Sequence, residues 1–128
     1  MENSELVLCD TDVIIEFYKG KFSITEELKK IGIGNIAISS ITAAELIYGA
    51  FNRKELNQIC KDIESLNLIS INNNINEKFL ELMKKYSLSH KIKIPDCIIA
   101  ATSLVYNIQL FTLNIKDFSF IDKIKLYQ

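Results

Sequence analysis

Short apolar runs of strand length alternate along this chain with stretches whose apolar residues recur at helical spacing. That alternation limits the fold more than any other feature of the sequence. Residues 5–9 form the first apolar run, and Val13/Phe17 with Ile14/Tyr18 then pair four apart. Residues 36–38 form another run, followed by a helix over 42–50. Leu56, Ile59, Cys60 and Ile63 repeat at i, i+3, i+4, i+7, and Ile75, Phe79, Leu82, Met83 and Tyr86 continue in the same manner after a polar Asn-rich entry at 72–76. A strand is expected between them, over 66–71. Pro95 suits the start of a helix reaching about Tyr106, and residues 109–112 and 124–127 read as two final strands. Strands that alternate with helices pair in parallel and bury both faces of their sheet. The expected fold is therefore α/β: three α/β/α layers around an open, twisted, mostly parallel sheet of about five strands, in a single domain spanning residues 1–128.

Open sheets of this kind bind ligands outside the carboxyl ends of their strands. Four acidic residues fall at that edge. Asp10 follows the first strand, Glu45 lies one turn into the helix after the second, Asp96 opens the helix after Pro95, and Asp117 follows the run 109–112. Each has an ordinary structural explanation. Asp10 or Asp12 would cap a helix, Thr42 with Glu45 fits a capping box, Asp96 suits a helix dipole, and Asp117 would close a turn. Convergence of all four is harder to explain that way. Two carboxylates ~4 Å apart repel by about 4 kcal/mol at intermediate dielectric, unless one is protonated or a cation lies between them. Oxygen-only donors select hard cations such as Mg²⁺ or Mn²⁺. Such a site suits phosphodiester hydrolysis by a metal-activated water. Thr11, Thr112 and Asn114 are polar neighbours placed to orient carboxylates or water.

Other features exclude alternatives. The chain has one histidine, His90, which reads as a surface residue, and no paired cysteines, so the usual zinc sites are excluded. Cys9, Cys60 and Cys97 are odd in number and widely spaced, as expected of reduced thiols in the cytoplasm. The most apolar long window, 94–113, is broken by Asp96, Asn107 and Gln109, and no signal peptide or membrane span is expected. A net charge of −1 argues against a protein that coats nucleic acid generally, although Lys29–Lys30, Lys84–Lys85 and Lys91–Lys93 offer local basic clusters.

At the acidic positions the chain resembles the PIN-domain family, and within it the VapC-type toxins of type II toxin–antitoxin pairs. The resemblance lies in Leu8-Cys9-Asp10-Thr11-Asp12-Val13-Ile14-Ile15, Thr42-Ala43-Ala44-Glu45-Leu46 with Tyr48-Gly49, Asp96-Cys97-Ile98-Ile99-Ala100-Ala101-Thr102, and Leu110-Phe111-Thr112-Leu113-Asn114-Ile115-Lys116-Asp117-Phe118. Four motifs in order cover nearly the whole chain. The resemblance implies a Mg²⁺- or Mn²⁺-dependent endoribonuclease that homodimerises, is neutralised by a cognate antitoxin, and leaves 5′-phosphate and 3′-hydroxyl ends. By position Asp10, Glu45, Asp96 and Asp117 match the family's acidic ligands. Asp12 and Thr112 match polar positions beside them, where the family often has Asn or Ser at the former. Some members carry the fourth acid where this chain has Asn114. The helices near the N-terminus and over 56–63 are candidates for dimer or antitoxin contacts.

Two other readings fit less of the sequence. Asp10-Thr11-Asp12-Val13 also resembles the opening of haloacid-dehalogenase-like phosphatases, with Asp10 as nucleophile, but the chain lacks the Gly-Asp-rich metal loop of that fold. A receiver domain would need a phosphoacceptor Asp after the third strand, where only asparagines follow. A catalytically silent scaffold with this fold would leave four clustered carboxylates that it does not use.

Overall fold

A computed structural model describes residues 5–128. Strands β1 (Val7–Cys9), β2 (Ile36–Ser39), β3 (Asn67–Ile69) and β4 (Gln109–Phe111) form one parallel sheet in the order β3-β2-β1-β4. Alternation along each strand sends side chains to both faces. Leu8, Ala37 and Leu110 enter a core beneath helices α5 (Asn73–His90) and α6 (Ile94–Tyr106). Val7, Cys9, Ile36, Ile38 and Phe111 enter a second core beneath α1 (Thr11–Tyr18), α2 (Phe22–Ile31), α3 (Ser40–Tyr48) and α4 (Arg53–Glu64). The α/β/α layering expected from the alternation is present, with the sheet buried between the cores.

Three expectations need correction. Residues 124–127 do not form a fifth strand. Leu126 makes a single parallel bridge to Leu110, with Leu110 N–H donating to Lys125 O at 2.7 Å and Tyr127 N–H to Leu110 O at 2.9 Å. The left-handed turn at Lys123 delivers the chain to β4 for one residue's pairing only. Helix α2 was not expected at all. Its Ile24 and Leu28 are buried, and it begins at Lys21 without a side-chain cap and ends at Gly32, whose φ of 87° glycine tolerates. Finally, α3 starts at Ser40, two residues before the expected position, because Ser39 caps it through a bond from Ile41 N–H.

Elsewhere local chemistry agrees with the sequence. Asn72 caps α5 by accepting from Ile75 N–H at 2.9 Å, and Pro95 lies in the first turn of α6, where its missing N–H costs nothing. Among the described residues no helix is long and apolar enough to cross a membrane, and all three cysteines are free. Burial pushes the thiols of Cys9 and Cys97 up to about 12 and about 11, so both stay protonated and unreactive, while Cys60 is exposed. His90 is exposed and stacks on Phe120, with ring centroids 4.1 Å apart.

Candidate active site

The carboxyl ends of β1 and β4, with the first turns of α3 and α6, bring the acidic residues to one edge. Asp10 is buried between strand and helix. Its Oδ1 accepts from Thr11 N–H at 2.8 Å, capping α1, and its Oδ2 accepts from the Thr112 hydroxyl at 2.8 Å. The capping role and the inward placement thus coexist in one side chain. Glu45 is not part of a capping box, since Ser39 holds the α3 N-terminus and Thr42 is buried within the helix. Instead, the Thr11 hydroxyl bonds Glu45 Oε1 at 2.6 Å and lies 3.0 Å from the Thr42 hydroxyl. One residue after Asp10 thereby fixes the acid of a different helix.

Asp96 lies in the first turn of α6 and is partly buried. Desolvation pushes its carboxyl up to about 6, and the negative charges of Asp10, Asp117 and Glu45 add to the shift against a weaker pull from Lys93. Asp10 is likewise raised, first by burial and then by Glu45 and Asp117, although bonds from Thr112 and Thr11 oppose the shift. Asp117 is exposed in a 3₁₀ turn, Ile115–Asp117, and its N–H donates to Asn114 O at 2.9 Å. The turn-closing role and proximity to the other acids coexist here too. All four acids therefore share one electrostatic neighbourhood.

Asp12 belongs to it as well. Its Oδ2 accepts from Leu113 N–H at 3.2 Å and Asn114 Nδ2–H at 2.8 Å, while Asn114 N–H donates to the Thr112 hydroxyl at 3.0 Å. These bonds tie the loop after β4 to the turn after β1. Partial burial, then Asp10, pushes Asp12 up to about 6, and its buried Oδ1 has no hydrogen-bond partner. Sequence reasoning placed Asp12 beside the site but did not foresee an orphaned buried oxygen, which depends on the loop's closure.

Among the described residues, no three His, Cys, Asp or Glu side chains stand close enough together to grip one ion directly. The donor set is nevertheless all oxygen, its charges repel one another, and one buried oxygen lacks a partner. These properties fit a hard cation that keeps part of its water shell and reaches some carboxylates through it.

A family model for the PIN domain matches residues 7–124. Ribonuclease VapC10 of Mycobacterium tuberculosis is 30% identical over 122 residues, covering 94% of this chain and 91% of the relative. A solved toxin–antitoxin complex from Klebsiella pneumoniae superposes with a TM-score of 0.79 at 30% identity, over 92% of this chain and 94% of the other. VapBC2 from Rickettsia felis, bound to a DNA fragment from its promoter, gives 0.78 at 28% identity, over 95% and 97%.

Proposed function

Because this chain belongs to the PIN-domain family, we propose that it is a Mg²⁺- or Mn²⁺-dependent endoribonuclease and the toxin of a type II toxin–antitoxin pair. The observation that carries the reading is the gathering of Asp10, Glu45, Asp96 and Asp117 at the carboxyl edge of the sheet, where burial and then the neighbouring acids raise the carboxyls of Asp10 and Asp96. The names of its relatives, a VapC ribonuclease and toxin–antitoxin complexes, support it. Asp10, Asp96 and Asp117 would hold the cation, directly or through water, and Glu45 would complete the set or orient the attacking water. The cation supplies a water of lowered pKa and neutralises charge on the leaving oxygen. Thr11 keeps Glu45 in place, Thr112 keeps Asp10 in place, and Asp12 with Asn114 holds the loop that leads to Asp117.

The reading places the protein in the cytoplasm as a homodimer, with an antitoxin as its protein partner. The seat we assign to the antitoxin is an apolar groove of about 570 Å³ between α1, α2 and α4, walled by Phe17, Tyr18, Leu28, Ile33 and Leu66. Its apolar character suits a helix laid in by its hydrophobic face.

The test is cleavage of structured RNA by protein shown free of antitoxin, with Mg²⁺, with Mn²⁺ and with EDTA, alongside Asp96→Asn. We expect metal-dependent cleavage that falls by more than about a hundredfold in the variant, since even groups behind a metal's ligands cost 10–100-fold. Equal activity in Asp96→Asn would remove the assigned site. No cleavage with either metal would favour the silent scaffold.

A further inference from the structure

Thr42 is fully buried in the first turn of α3, a helix that Ser39 already caps. A buried hydroxyl without a partner is costly, so the partner it finds matters. Elsewhere a buried threonine returns its hydroxyl to its own helix, as Thr102 does to Ile98 O at 2.8 Å. Four residues behind Thr42 lies Ile38, in β2 rather than in a helical turn. Among the described residues the Thr42 hydroxyl bonds only the Thr11 hydroxyl, at 3.0 Å.

The direction of that bond follows from counting protons. A hydroxyl has one proton and two lone pairs, and a carboxylate only accepts. Thr11 Oγ1 lies 2.6 Å from Glu45 Oε1, a separation proper to a hydroxyl donating to a carboxylate, so its one proton is committed there. Thr42 must then be the donor to Thr11. The two bonds run in series, each polarising the next, and together they fix one rotamer of Thr11. Thr11 N–H meanwhile donates to Asp10 Oδ1 at 2.8 Å, so the backbone of Thr11 serves one acid and its side chain another. With Oε1 taken, Glu45 is left with Oε2, which accepts from no described residue.

We propose that Thr42 is a positioning residue for the reaction, buried away from RNA and cation alike, which acts through Thr11 to aim Glu45 Oε2 at the cation or at a water the cation holds. The inference rests on the nuclease reading and adds to it a residue and an order of action. If Thr42 only filled space, valine, which has nearly the same shape, would serve as well.

The experiment is a double-mutant cycle on Thr42→Val and Thr11→Val, with Thr42→Ser as the variant that keeps the hydroxyl. RNA cleavage in Mg²⁺ gives kcat and KM, calorimetry without RNA gives Mn²⁺ affinity, and urea unfolding in EDTA reports folding. Thr42→Val should lower kcat by about tenfold, as groups behind a metal's ligands do, and leave KM within about twofold. Thr11→Val should lower kcat at least as far, and the double variant no further than Thr11→Val alone. Thr42→Ser should recover most of the loss. Mn²⁺ affinity should fall together with kcat in Thr42→Val; a fall in kcat alone would put Oε2 on the water and leave the proposal standing. Three results would overturn it: unchanged kcat in Thr42→Val, losses that multiply in the double variant, or Thr42→Ser as impaired as Thr42→Val. A packing defect would give either of the last two. If Thr42→Val does not fold, Thr42→Ala against Thr42→Ser decides on the same terms. If wild type cuts nothing, the nuclease reading fails alone. Mn²⁺ affinity then decides: a fall in Thr42→Val that Thr11→Val already contains supports the proposal, and an unchanged affinity overturns it.

Discussion

The two faces of the sheet are built to different ends. Beneath α5 and α6 the core is closed: Leu8, Ile75, Ile99, Ile108, Leu110 and Phe118 are all fully buried, and the largest of them, Phe118, is 0% exposed. Beneath α1–α4 the sheet residues are equally buried, yet the helices above them leave two wide grooves and a rim of exposed Ile15, Phe17, Tyr18, Phe22, Ile33, Tyr48 and Phe51, against the fewer exposed Leu80, Leu88 and Ile94 on α5 and α6. One face thus closes its core more completely while the other carries more exposed apolar surface, the surface on which we propose the antitoxin sits, with the carboxylates at the edge between them.

The strongest way to break this comparison is to damage the closed face. Phe118→Ala should cost about 3–5 kcal/mol, because a dry, well-packed site cannot collapse around a lost ring. Thermal or urea unfolding reads the loss directly. Since Phe118 adjoins Asp117 in the chain, some activity should be lost as well, in proportion to the loosening of that turn. A cost below about 1 kcal/mol would mean that the closed face is less tightly packed than its burial indicates.

The edge between the faces should show itself through pH. In metal-free protein the carboxyls of Asp12 and Asp96 titrate near about 6, against about 3.9 in an unfolded chain. Between those values the folded state holds protons that the unfolded state has released. Stability from these groups is therefore complete below about pH 4 and is lost as pH rises through about 6. Asp96→Asn, which stays neutral, should gain on wild type across that window. Both groups are partly solvated, so after screening the gain is about 1 kcal/mol. Urea denaturation in EDTA at pH 4, 5, 6 and 7 tests it. An advantage that did not grow with pH would show that neither burial nor the neighbouring acids raise the Asp96 carboxyl.

How much of this was legible in the sequence depended on how local each signal was. The acids were legible because parallel strands with helical crossovers must bring the residues just past their carboxyl ends to one edge, and Asp10, Glu45, Asp96 and Asp117 lie there. The Thr11–Glu45 and Asp12–Asn114 bonds join residues 34 and 102 apart and depend on the register of β1 against its neighbours, which no local pattern encodes. Helix α2 was hidden although Ile24, Leu28 and Ile31 keep helical spacing, because four charged residues lie among them and no capping side chain marks the start. The false fifth strand had the opposite cause. Residues 124–127 carry strand-like side chains, but pairing is decided by the turn before them. The exposed aromatics were overlooked because Tyr48 fits the apolar spacing of its own helix, and spacing cannot say which apolar residue faces water.

The smallest effect belongs to the open face. Phe22 begins α2 and is 75% exposed, with no aromatic partner among the described residues. Phe22→Ala should change stability by no more than about 0.5 kcal/mol, because little of the ring leaves water on folding and alanine also favours the helix. The contrast with Phe118→Ala, measured in the same urea titration, separates burial from residue type. A large cost at Phe22 would mean that this rim already packs against something in the isolated protein, such as a second copy. The titration would then depend on protein concentration, whereas for a free rim the small difference stays constant across a hundredfold dilution.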